Sequence, residues 1–228
     1  MILLLDLKLS GRSVVVVGGG MESYKKVLNL LEENPKVKVY SKTFREGFRK
    51  LETEGKVVLV ETEVRDVDVF LKELVPKPLL LIAATDNPSI NAELALKAKA
   101  EGCLVYAIDN PSISDLAFPA RASIGDVKVA VSTGGKSPAM ARFIMMKFKE
   151  AVKPEHLLQI ELSQLIRKIL REKVKDYRLR REIISKVLFD RRVNELIKAG
   201  NFDAAYTEAL KIIEGYPRYL EMKGDFNV

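Results

Sequence analysis

A β-branched run, Ser13 to Val17, leads straight into three glycines, Gly18-Gly19-Gly20, and then into a helix-like stretch from Met21 to Glu33. This junction limits the possible folds more than anything else in the chain. A strand that enters a helix through a turn without side chains opens a βαβ unit. The spacing is Gly18-x-Gly20-x-x-Ser23. The first glycine permits a tight turn, the second lets backbone approach a diphosphate, and the third position needs a small residue where helix meets strand. The helix start then presents free N–H groups and a partial positive charge. An ordinary strand–helix turn would use the same glycines, so the motif needs its context.

The context is repetitive. Strand-like runs at Val37–Tyr40, Val57–Val60, Leu79–Ala83 and Cys103–Ile108 alternate with helix-like runs at Phe44–Glu54, Val67–Leu74 and Ser89–Ala100. Ala92, Ala95 and Leu96 are spaced to share one packing face of the last helix. The order predicts a parallel sheet with helices on both faces. After Asn110-Pro111 the pattern changes. Phe118–Ile124 and Val127–Ser132 read as antiparallel strands turned at Gly125-Asp126. Ser137-Pro138 opens a helix to about Ala151, with serine as cap and proline at the first position. From His156 the chain reads helical throughout, at Leu157–Lys173, Tyr177–Phe189, Arg191–Lys198 and Phe202–Glu214. The expected organisation is α/β: a Rossmann-like domain over residues 1–112, a small α+β dimerisation region over 113–153, and a helical domain over 154–228.

Ligands of an open parallel sheet bind along the edge formed by the strand C-termini. Three loops fall on that edge: the glycines, Ala83-Ala84-Thr85-Asp86-Asn87, and Asp109-Asn110-Pro111. Thr85 and its neighbours are expected to line a cofactor, and Asp86 to cap the following helix. Asp109 reads either as a turn former or as a carboxylate placed to take or guide a proton. No Asp or Glu ends the second strand to hold a ribose. Ser41-Lys42-Thr43 stands there instead, where Ser41 or Thr43 suits a ribose hydroxyl and Lys42 tolerates a 2′-phosphate. NAD and NADP therefore both remain open. Thr133-Gly134-Gly135-Lys136-Ser137, preceded by Ser132, resembles half a P-loop, but Ala130 occupies the first glycine position, which disfavours an ATPase. As a glycine-rich turn entering a helix it still suits a substrate carboxylate. His156 is the only histidine, so a His-based triad or metal site has little support.

Composition narrows the function classes. With 47% hydrophobic residues among 228, the chain is expected to fold. One cysteine, Cys103, excludes an internal disulfide and points to a reducing, cytoplasmic setting. The apolar start, Met1–Leu5, has no basic flank and is followed at once by Asp6 and Lys8. It reads as a strand rather than a signal peptide or membrane span. The net charge of +7 lies wholly after residue 113, with 22 basic against 15 acidic residues. The segment Arg167–Arg192 carries eleven basic and four acidic residues. Such a stretch is either a solvated helix face or a surface for polyanions.

Together these motifs resemble the N-terminal family of siroheme synthases. The resemblance rests on Val17-Gly18-Gly19-Gly20 with Lys25-Lys26, Ala83 to Asn87, Ala107-Ile108-Asp109, Phe118-Pro119-Ala120, and Val131 to Pro138 with Ala141-Arg142. It covers roughly Leu5 to Ala151, and the Ser-Thr-Gly-Gly-Lys-Ser-Pro run is its most specific part. Glu22-Ser23 replaces the usual Val-Ala, and Lys25 stands where arginine is frequent. The resemblance implies oxidation of precorrin-2 to sirohydrochlorin with NAD as hydride acceptor. It also implies a homodimer exchanging residues from about Ile113 to Ala151. It carries the family's key aspartate onto Asp109, and its cofactor contacts onto Gly18, Gly19, Gly20, Met21, Glu22, Lys42, Thr43, Ala84 and Thr85. The polycarboxylate substrate matches the basic second half. Some family members also insert a metal into sirohydrochlorin, and no His/Cys metal set is visible here. A competing class is a dinucleotide-sensing nucleic-acid-binding protein using Arg167–Arg192. Nucleic acid is the less favoured partner, and no membrane partner is expected.

Overall fold

A computed structural model describes residues 3–216. The chain divides into two compact units, Met1–Phe118 and Pro119–Val228. In the first unit, strands β1 (Ser13–Val17), β2 (Lys36–Ser41), β3 (Val57–Glu61), β4 (Leu80–Ala83) and β5 (Leu104–Ala107) form one sheet. Every pairing is parallel and the order is β3-β2-β1-β4-β5. Helices α1 (Met21–Leu31), α2 (Glu46–Thr53), α3 (Val67–Glu73) and α4 (Pro88–Ala100) connect them.

The alternation along β1 shows why the sheet is covered twice. Val14 and Val16 pack with Val27 and Leu30 of α1 and Phe48 and Leu51 of α2. Val15 and Val17 face the other way, against Phe70 and Leu71 of α3 and Leu94, Ala95 and Ala98 of α4. All four valines are at most 2% exposed. Both faces of a central parallel strand are thus apolar, as its unbroken valine run requires. Truncating one such side chain to alanine costs about 1–5 kcal/mol. The chain runs outward from β1 to β3, returns, and starts again at β4. The strand order therefore reverses between β1 and β4, where open α/β sheets bind ligands.

Two local expectations are corrected. Leu96 is 56% exposed, because the buried stripe of α4 is Asn91, Leu94, Ala95 and Ala98. Those positions, not 92 and 96, fall on one side at the helical period. Leu3–Leu5 form no strand, and Leu3 and Leu5 are more than three-quarters exposed. The sheet ends at β3 and β5, and neither pairs with this run. Met1 and Ile2 lie outside the described residues. The outer edge of β5 is instead capped by the chain that follows it. Val105 N–H donates to Asp115 Oδ2 at 3.1 Å, and Ala107 N–H to Ser114 Oγ at 2.9 Å.

The second unit begins with an antiparallel hairpin, β6 (Ala120–Ile124) and β7 (Val127–Val131), closed by Gly125-Asp126. Gly125 takes φ +54°, the left-handed conformation a two-residue turn demands. Helix α5 (Pro138–Ala151) follows. The Ser137 hydroxyl accepts from Met140 N–H at 3.3 Å as the expected cap. Only Ala141 of α5 is buried, while Met140, Phe143, Met146 and Phe148 are about half exposed. Four further helices, α6 (Pro154–Lys173), α7 (Tyr177–Leu188), α8 (Arg191–Lys198) and α9 (Phe202–Glu214), enclose a separate core around Leu162, Ile166, Ile183, Ile197 and Ile213. Pro154 opens α6 at its first turn, two residues earlier than the sequence pattern suggests. No helix among the described residues is long and apolar enough to cross a membrane.

Candidate functional site at the strand-order reversal

The glycine loop is pinned from both sides. Gly18 N–H donates to Tyr40 O, and Ala84 N–H to Val17 O, each at 2.8 Å. These bonds extend the ladders of β1 to β2 and to β4 by one step. Gly18 has φ +119°, and a Cβ there would lie 2.0 Å from Ala84 O. A Cβ on Gly19 would lie 2.3 Å from Thr43 O and 2.9 Å from Ser41 Oγ. The Gly19 carbonyl also accepts from Arg45 N–H at 3.0 Å. Loops after β2 and β4 thus close on the first two glycines so tightly that no side chain fits. Gly20 differs, because a Cβ there meets nothing within 4 Å.

Gly20 is the N-cap of α1 and supplies no side chain to satisfy its first turn. The helix start therefore presents amides toward open space. Ser23 is 1% exposed and its hydroxyl donates to Gly20 O at 3.0 Å, which ties the loop to the helix. Cradle, open N-terminus and small third residue all suit the diphosphate of a dinucleotide. Met21 is 44% exposed at the first helical position. Glu22 pairs with Lys25 at 2.5 Å, and that hydrogen bond holds its carboxyl below the usual carboxylate range. The lysine offsets an acid that would otherwise oppose a phosphate. Lys26 lies over the rings of Phe118 and Tyr106, 4.9 and 5.4 Å from their centroids.

Lys42, at the end of β2, pairs with Glu63. Arg65 binds the same carboxylate at 2.6 Å. These two cations hold the Glu63 carboxyl below its usual range. Glu63 escaped the sequence reading because it follows the third strand, not the second.

The loop after β4 corrects another expectation. Asn87, not Asp86, caps α4: its Oδ1 accepts from Ser89 N–H at 3.0 Å and Ile90 N–H at 3.3 Å. Asp86 lies one residue too early to reach those amides and is exposed. Thr85 is held by Asn91, a 0% exposed residue of α4. Asn91 Oδ1 accepts from Thr85 N–H at 2.9 Å and from its hydroxyl at 2.7 Å. Asn91 Nδ2 donates to Thr85 O at 3.1 Å and to Asp109 Oδ2 at 3.0 Å. The turn after β5 is closed by Asn110, whose Oδ1 accepts from Ser112 N–H at 3.1 Å and its hydroxyl at 2.6 Å. Asp109 therefore presents an exposed carboxylate anchored by one amide. The sequence signal for Asn91 was a polar residue at a core position of an apolar helix face.

In the second unit, Ser132 to Ser137 form a closed loop. Ser132 Oγ accepts from Gly134 N–H at 3.2 Å, and Thr133 Oγ1 from Ser137 N–H at 3.0 Å. Gly134 and Gly135 take positive φ, and Lys136 is exposed. His156 Nδ1 accepts from Lys153 N–H at 3.0 Å and so serves the start of α6. The basic segment divides by role. Arg180 donates to Val174 O at 2.7 Å and Lys175 O at 2.8 Å, closing α6, and Arg191 pairs with Glu195 at 2.8 Å. Arg167, Lys168 and Arg171 instead line an open groove of about 1330 Å³, with Leu165 and Phe189 as apolar wall. Among the described residues, no three His, Cys, Asp or Glu side chains gather as a metal site. Cys103 is buried, which raises its thiol pKa.

Residues 5–120 match the family model described as "Putative NAD(P)-binding". A precorrin-2 dehydrogenase of Methanosarcina barkeri is 30% identical over 93% of this chain and 93% of its own length. A siroheme synthase of Pseudomonas aeruginosa is 31% identical over 84% of this chain, which spans only 40% of that longer protein. The solved structure of SirC, a precorrin-2 dehydrogenase, superposes with a TM-score of 0.72 over 94% of this chain and all of its own, at 21% identity. That likeness establishes the shared fold. Family model and full-length relative together place this chain in the dinucleotide-binding family to which precorrin-2 dehydrogenases and siroheme synthases belong.

Proposed function

We propose that this protein is a precorrin-2 dehydrogenase that uses NAD. The observation carrying the reading is the glycine cradle at the strand-order reversal, open only at Gly20, on a chain matched along its length by a named precorrin-2 dehydrogenase. Gly18, Gly19 and Gly20 bring backbone to the diphosphate, with Met21 and Glu22 in the turn above it. Thr43 and Ser41 offer oxygens to the ribose, and Ala84 and Thr85 form the opposite wall. Glu63 engages Lys42, so the cation that would receive a 2′-phosphate is already neutralised, which favours NAD over NADP.

The reaction removes a hydride and a proton from precorrin-2, giving sirohydrochlorin, NADH and H⁺. Bound NAD supplies the carbon that accepts the hydride. The chain's part is to hold the macrocycle and take the proton, which we assign to the exposed Asp109 carboxylate. The substrate's carboxylates call for cations and amide donors. Arg167, Lys168 and Arg171 supply the former. Lys136 and the backbone of Ser132 to Ser137 supply both. The half-exposed apolar side chains of α5 and its two-stranded hairpin are too little to form a core alone, which supports a homodimer built on this region.

Anaerobic incubation with precorrin-2 and NAD tests the reading. Sirohydrochlorin and NADH should appear in equal amounts. A folded protein that binds NAD but leaves precorrin-2 unchanged would refute it.

A further inference from the structure

Asn91 is fully enclosed, yet its amide makes four hydrogen bonds, two through each end. Its orientation is fixed by chemistry. Thr85 N–H can only donate, so it must face Oδ1, and Nδ2 is thereby turned toward Thr85 O and Asp109. One hydrogen of the amide goes to each. The same side chain thus grips the loop after β4 and the carboxylate after β5, two strands whose C-termini lie side by side. A buried amide with every position filled has no alternative arrangement of equal energy. Movement of Asp109 away from Nδ2 would leave a buried N–H unpaired, at a cost of the size of a lost hydrogen bond.

We propose that Asn91 is a positioning residue that couples the Thr85 wall of the dinucleotide site to Asp109. This rests on the proposed roles of Thr85 and Asp109. Nothing about the coupling requires Asn91 to touch either ligand. Filling the dinucleotide site orders Thr85, Thr85 holds the amide, and the amide holds the carboxylate in one direction. In the other direction, removing the acceptor at 109 should alter dinucleotide affinity, whereas a replacement that still accepts from Nδ2 should leave it nearly unchanged.

Reversing the polarity of the Asn91–Asp109 bond provides the test. Asn91→Asp keeps the oxygen that Thr85 donates to. It replaces the donor with a second acceptor, 3.0 Å from Asp109 Oδ2 and 3.1 Å from Thr85 O. Two carboxylates so close cannot both be charged without penalty. Asp109→Asn keeps an oxygen for Asn91 to donate to. In the double variant, Asn at 109 donates to Asp at 91, and the bond re-forms in the opposite sense. NAD affinity by calorimetry and thermal midpoint are measured for all four proteins.

Asn91→Asp should weaken NAD binding by about tenfold, the scale of a lost charge-assisted bond in a buried site. Its affinity should recover as the pH falls and one carboxyl takes up a proton to share, while the wild type changes less. Asp109→Asn should bind NAD within about twofold of wild type. The double variant should recover part of the affinity and midpoint lost in Asn91→Asp, since the bond to residue 109 re-forms while Thr85 O still lacks its donor, yet remain unable to oxidise precorrin-2. If Asn91→Asp does not fold at neutral pH, the double variant must still fold and bind NAD. Equal NAD affinity in wild type and Asn91→Asp, or a double variant no better than Asn91→Asp, would overturn the coupling. Both readouts are independent of turnover. A protein that fails to oxidise precorrin-2 yet shows the reversal would lose the dehydrogenase reading and keep this one.

Discussion

Glu63 holds the Lys42 ammonium at the C-terminal end of β2, where dinucleotide-binding domains place the group that reads the adenosine ribose. The carboxylate that meets Lys42 comes from beyond the third strand. Lys42 and Arg65 together hold the Glu63 carboxyl below its usual range.

Glu63→Gln should therefore change cofactor choice without disturbing the fold. It releases Lys42 and Arg65 for a 2′-phosphate. NADP affinity should rise by about threefold to tenfold, one charge-assisted contact in an exposed site, while NAD affinity stays nearly constant. Paired titrations with NAD and NADP read this directly, and an unchanged NADP/NAD ratio removes Glu63 from cofactor selection.

The basic groove yields a separate prediction. Replacing Arg167, Lys168 and Arg171 by glutamine should raise KM for precorrin-2 with little effect on thermal stability, since all three are exposed. It should also flatten the dependence of KM on salt, because fewer carboxylate contacts remain to be screened. Steady-state kinetics at two ionic strengths test both. An unchanged KM and salt slope would assign these cations to ordinary solvation.

Much of this architecture was legible because its signals are local. The valine run, the glycine turn, the Ser137-Pro138 cap and the Gly125-Asp126 hairpin each depend on neighbours within a few residues. What stayed hidden depends on distant partners. Asp86 and Asn87 are both capable caps, and only the backbone direction entering α4 selects Asn87. Leu96 looks like core until the helix is rotated to bury Asn91. The basic run reads as one stripe, but folding spends Arg180 on closing α6 and Arg191 on pairing with Glu195. Glu63 and Asn91 act across strands and were visible only as polar residues.

Two alanine substitutions distinguish a diphosphate resting against Gly20 and the amides after it from mere turn geometry. Gly18→Ala places a Cβ on Ala84 O at a positive φ, so it should cost at least about 1–3 kcal/mol and lower the thermal midpoint. Gly20→Ala meets no protein atom and should cost less than about 1 kcal/mol. The decisive measurement is NAD binding to folded Gly20→Ala by calorimetry. The dissociation constant should be at least about tenfold higher than wild type, with the thermal midpoint nearly retained. Wild-type affinity in that variant would contradict a diphosphate at Gly20.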